Sequence, residues 1–111
     1  MSRTTALLVL FLAAVLEASG DAIVRSGLHR SSTVSRTVLF VAGAAVLFAY
    51  GLVVNSPPWD FGKLLGLYVV FFFITAQLIS WLAFSQPPSM AVLVGGGLIV
   101  AGGFVIAFNQ R

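Results

Sequence analysis

The sequence predicts an all-α integral membrane protein with four transmembrane helices. Three observations lead there. Of its 111 residues, 59% are hydrophobic and 8% charged, where a soluble domain carries roughly 25% charged residues. The mean hydropathy is +1.07. The apolar residues gather in four runs, 4–24, 38–54, 61–84 and 90–108, close to the roughly 20 residues that cross about 30 Å of hydrocarbon. Because lipid offers no hydrogen bonds, a run that spans it must satisfy its own backbone, which makes each run a helix. Residues 1–111 read as a single four-helix transmembrane domain with no room for a separate soluble one.

The first run ends in a polar stretch, 25–36, holding Gly27, Ser31, Ser32, Thr33 and Ser35. Arg3, the apolar stretch 6–16 and Ala18-Ser19-Gly20 resemble a signal peptide, but three further spans make an uncleaved first helix the better reading. The second run is short, and Val34 is an alternative start. Asn55-Ser56-Pro57-Pro58-Trp59 then breaks the chain, with Asp60 as the expected N-cap of the third helix. Ser85-Gln86-Pro87-Pro88-Ser89 is a second breaker. Each Pro-Pro pair precedes a helix, where a missing N–H does no harm.

Composition excludes several functions. The chain has no cysteine, so disulfides, thiolate metal sites and thiol nucleophiles are ruled out. His29 is the single histidine, with no second ligand at metal spacing, and reads as a solvated loop side chain. No cofactor and no nucleic acid is expected: six Lys/Arg against three acids serve here as interfacial anchors. Four crossings put Arg3, Lys63 and Arg111 on one side and Arg25, Arg30 and Arg36 on the other. This tie leaves the positive-inside rule without a preferred orientation. Either another feature sets the orientation, or the chain inserts both ways round and pairs antiparallel.

Glu17 is the residue that points to function. An acid near the centre of a membrane helix costs about 2.5–3.5 kcal/mol on insertion scales. Glu17, Asp21 and Arg25 are spaced i, i+4, i+8, on one helical face, with Ser19 and Gly20 keeping the neighbourhood narrow. Asp21 and Arg25 have the favourable order for an ion pair. Glu17 is two turns from Arg25, so it must hold a proton, bond to a partner helix or hold a cation. A group that carries either a proton or a cation is the chemical minimum of an antiporter.

Tyr68 lies inside the third run, where its hydroxyl needs a partner and its ring suits an organic cation. Tyr50 and Trp59 read as interfacial belt. Thr75, Gln77 and Ser80 read as donors between helices. In the fourth run, Gly97 and Ala101 form a small-xxx-small pair, and Gly95 and Gly102 stand one heptad apart. Such residues let helices approach closely, within or between subunits.

Taken together, these motifs resemble the small multidrug resistance family of the drug/metabolite transporter superfamily. Glu17-x-x-Gly20 followed by Arg25 is similar to the family's first-helix motif around its essential glutamate. Ser80-Trp81 and Phe84-Ser85-Gln86 resemble the end of its third helix and the following turn. Gly95, Leu98, Ile99 and Gly102 fall on its fourth-helix dimerisation pattern. The resemblance covers nearly the whole chain. It implies an antiparallel, dual-topology homodimer in which two Glu17 side chains form one central site, alternately open to each face, where protons and a cationic substrate compete. It carries Glu17 and Gly20 over as binding residues, and with Asp21 and Tyr68, which stand where the family has other residues, they make the expected proton- and substrate-binding set. The departures mark a divergent member. The family's third-helix tryptophan aligns with Tyr68, its tyrosine one turn earlier aligns near Leu65, and its glycine-rich kink aligns with Val70-Phe71-Phe72, which lacks glycine.

The expected function is proton-coupled antiport exporting small organic cations across the cell (inner) membrane. The expected partners are protons, the cation, the lipid bilayer and a second copy, with a heterodimer of similar small subunits as the variant. The alternative is a non-transporting membrane subunit or scaffold that pairs with another small membrane protein. No nucleophile or recognisable acid–base pair marks an enzyme.

Overall fold

A computed structural model describes residues 1–108. Arg111, which enters the charge tie, lies outside them. The described chain forms four helices: α1 (Arg3–Leu28), α2 (Thr33–Val54), α3 (Phe61–Phe84) and α4 (Met90–Ala107). All four are long and apolar enough to cross a membrane, as expected of a multi-pass membrane protein.

Serine caps set three of the four starts. Ser2, Ser32 and Ser89 accept hydrogen bonds from the backbone N–H of Thr5, Ser35 and Val92 at 3.1, 3.3 and 3.2 Å, each satisfying an N–H that the helix leaves unpaired. Asp60 occupies the cap position of α3, but its side chain makes no capping bond. The first connection is much shorter than the polar stretch 25–36 suggested. Helix α1 continues through Arg25 to Leu28, and Ser32 already caps α2. Arg25 and Arg36 therefore sit on helix ends. At its far end α3 stops on Ser85, a left-handed residue (φ 54°), and the N–H of Gln86 returns to Ser80 O at 3.0 Å.

Helix α1 is central, packed against α2 on one side and α3 on the other, and α4 rests on α3. Small residues make each of these contacts close. A Cβ on Gly20 would stand 2.7 Å from Leu47 Cδ2, and one on Gly43 would stand 2.6 Å from Val24 Cγ2. Backbones of α1 and α2 thus meet with little between them. Gly96 and Gly103, one heptad apart, receive Phe73 and Val70 of α3.

The buried cluster joins Leu10, Ala13 and Ala14 of α1, Val54 of α2, and Leu64, Leu67 and Tyr68 of α3. It lies at the end of the bundle that holds the N-terminus. The molecule is only 19 Å across its thinnest direction, less than two helix diameters. Most apolar side chains therefore face outward, as lipid permits.

Candidate functional site

The site is built where α1 and α3 cross. Glu17 is within about 3 Å, along the axis, of the midpoint of the 26-residue α1 at 1.5 Å per residue, nearer the centre than the shorter run 4–24 implied. The neighbouring turn of α1 is made of Ala13, Ala14 and Ala18, all buried. These small side chains let α3 come close enough for Tyr68, only 4% exposed, to reach across. Its hydroxyl donates to Glu17 Oε1 at 2.8 Å.

A second acceptor lies beside the first. The Ala13 carbonyl is 3.3 Å from the same hydroxyl oxygen. One O–H carries one proton, so the shorter bond to an ionised Glu17 takes it. With a proton on Glu17 the pattern reverses. The carboxylic acid donates to Tyr68 Oη, and the Tyr68 proton turns to the Ala13 carbonyl. The two nearby oxygens thus offer the Tyr68 proton an acceptor in either state of the carboxyl.

Tyr50 of α2 completes the floor. Its ring centroid is 5.6 Å from that of Tyr68, and Phe72 stands behind at 6.2 Å. The interfacial role expected of Tyr50 is therefore replaced by an inward one. The signal was in the sequence: Gly43, Leu47, Tyr50 and Val54 share one helical face, and that face is the one α2 turns to α1.

Asp21 and Arg25 occupy the next two turns. Both line a groove of about 260 Å³ between α1 and α3, with Phe72, Ser80, Phe84 and Gln86. The expected Asp21–Arg25 ion pair is not formed. The Arg25 guanidinium lies over the Phe84 ring, 5.3 Å from its centroid. Among the described residues no basic nitrogen approaches a carboxylate oxygen within 4.0 Å. Asp21 faces this groove with Arg25 one turn away and unpaired, while Glu17 lies one turn before it, outside the groove lining and bonded to Tyr68.

The other expected site residues divide. Gly20 is buried against Leu47, so it sets the α1–α2 distance and does not line the groove. A methyl group added at Gly95 or Gly102 would meet nothing within 4 Å, Leu98 is 72% exposed, and Ile99 is half-buried. Thr75 and Ser80 bond locally, to Phe71 O at 2.8 Å and Gln86 O at 3.0 Å, rather than between helices.

The chain matches no known family profile, no curated protein and no solved structure. A carboxyl near the middle of a long apolar helix, held by one hydroxyl and with the Tyr68 and Tyr50 rings nearby, can accept a proton or a cation. Among the described residues no cluster of His, Cys, Asp and Glu is suited to a metal ion.

Proposed function

We infer that this protein is a proton-coupled antiporter that exports small organic cations, a divergent relative of the small multidrug resistance proteins. It works in the cell (inner) membrane as an antiparallel, dual-topology homodimer. One observation carries the reading: Glu17 stands near the middle of a membrane helix with the Tyr68 hydroxyl as its donor and no basic group within 4.0 Å among the described residues. An ionised carboxylate cannot remain bare in hydrocarbon. It takes a proton on one side of the membrane and an organic cation on the other, and each occupant excludes the other.

The Tyr68 hydroxyl supports this exchange. It donates to Glu17 when the carboxylate holds a cation, and accepts from Glu17 while donating to Ala13 when the carboxyl holds a proton. Asp21, one turn closer to the surface, adds negative potential along the path. The open face of α4 supports pairing with a second copy, since Gly95 and Gly102 leave room for another helix to approach and Leu98 offers a knob.

The test is uptake driven by a pH gradient in liposomes, wild type against Glu17→Gln, with proton release from detergent-solubilised protein on adding candidate cations. The Gln variant is expected to lose both while keeping the same assembly size. Unchanged uptake in that variant overturns the reading. An obligate second chain that copurifies, with no cation-dependent proton release, favours the scaffold alternative instead.

A further inference from the structure

At the end of the bundle opposite the Asp21 groove, α1 and α4 approach α3 from two sides and leave a crevice of about 510 Å³. Its mouth holds two cations. Arg3 donates from Nη2 to the carbonyl of Ala107 at 3.0 Å, which caps α4 and occupies one of the five N–H donors of the guanidinium. Lys63 Nζ lies 5.7 Å from the Trp59 ring centroid. Neither has a carboxylate within 4.0 Å among the described residues. Asp60, one turn before Lys63, is exposed and does not line the crevice.

Below the mouth the crevice becomes apolar. A second hollow of about 200 Å³ runs between α3 and α4, lined by Val70, Phe71, Val100 and Gly103. It shares Leu67, Phe104 and Ala107 with the first, so the two adjoin and form a channel across that shared wall when one ligand occupies both. On α3 it follows Lys63, Leu67 and Val70/Phe71, a single helical stripe about 12 Å long at 1.5 Å per residue. That is most of one leaflet's half of an approximately 30 Å core. A cationic rim at interface depth above an apolar slot has the shape of one ligand class.

We propose that this channel is a binding site for an anionic phospholipid, with the headgroup phosphate between Arg3 and Lys63 and an acyl chain in the slot between α3 and α4. Charge complementarity selects the headgroup, since each juxtamembrane cation favours an anionic lipid over a neutral one. The apolar slot selects a lipid over a free anion, because inorganic phosphate has nothing to place against Leu67 and Phe104. Bound there, the lipid fills the space beside the Arg3–Ala107 contact, against α1, α3 and α4.

The experiment is native mass spectrometry of the purified protein with dioleoyl phosphatidylglycerol or dioleoyl phosphatidylcholine. Expected is selective retention of the anionic lipid. Combining Arg3→Gln with Lys63→Gln should reduce that preference by roughly thirtyfold. Lys63→Gln alone, which leaves the α4 cap intact, should reduce it by about fivefold. Ala107→Phe, which plugs the junction of the two hollows, should release both lipids while circular dichroism stays unchanged. Equal retention of the two lipids, or a preference unchanged in the Lys63 variant, overturns the proposal. Displacement of the lipid by inorganic phosphate alone at equal concentration overturns it as well, leaving a site for free anions.

Discussion

The hydroxyl of Tyr68 and the carboxylate of Glu17 meet at 2.8 Å, joining the third helix to the first near mid-membrane. The same hydroxyl has Ala13 O as its second acceptor at 3.3 Å, which lets the pair stay bonded whether or not the carboxyl holds a proton. Tyr68→Phe removes the switch and keeps the ring. Proton-driven uptake should fall about ten- to hundredfold, the scale of one hydrogen bond to a charged group, about 1.5–3 kcal/mol. Helix content by circular dichroism should be unchanged. Uptake equal to wild type would mean that the hydroxyl serves packing alone.

Tyr50 supports that pair from behind. Its ring packs on Tyr68 at 5.6 Å, a contact of about 0.5–1.5 kcal/mol beyond area burial. Tyr50→Ala should lower the thermal midpoint clearly and loosen Tyr68, whereas Tyr50→Phe should stay near wild type. If both variants melt like wild type, Tyr50 belongs to the interfacial belt after all.

Asp21 and Arg25 share the groove without pairing, and Arg25 covers the Phe84 ring. A cation entering the groove competes with the guanidinium for that aromatic face. Arg25→Gln should therefore tighten binding of benzyltrimethylammonium by about two- to thirtyfold, from a cation–π contribution of about 0.5–2 kcal/mol. Asp21→Asn should weaken it by a similar factor. Equilibrium dialysis in detergent reads both. Identical affinities in the two variants would show that the groove lies off the substrate path.

The α1–α2 contact depends on glycine at a specific place. Gly43→Val brings a branched side chain against Val24 Cγ2, already 2.6 Å from the first added carbon, and against Gly20 O at 3.3 Å. Overpacking of this kind costs about 1–3 kcal/mol. Gly51, with nothing within 4 Å, is the matched control, and Gly51→Ala should be neutral or slightly stabilising. Thermal unfolding in detergent compares the two.

On α4 the two sets of glycines face different surroundings. Gly96 and Gly103 seat α3, while Gly95 and Gly102 look outward. Gly102→Leu should leave the subunit folded and shift the assembly toward monomer, read by light scattering after size-exclusion chromatography. A variant that remains the same size as wild type would remove this face of α4 from the proposed pairing.

Much of this was legible in the chain itself. The four helices follow from apolar length, because hydrocarbon rejects any backbone that does not bond to itself. Glu17 stood out for the same reason, as a charge where charges are costly, and Tyr68 as a hydroxyl too deep to reach water. The boundaries were less legible. Polar Ser26, Gly27 and Arg25 look like loop, yet they extend α1, because the last turns of a membrane helix emerge from the hydrocarbon into an interface that accepts polar side chains.

Partnership between residues belongs to the tertiary structure. Spacing on one helix placed Asp21 and Arg25 in reach of each other, but α3 supplies Phe84 and draws the guanidinium away. Tyr50 near a helix end suggested a lipid interface, but the Gly43 contact rotates its face of α2 inward to Tyr68. Composition and period determine which segments become helices and which residues are unusual within them. The close approaches that glycine and alanine permit decide how those helices turn toward one another, and so which side chains meet.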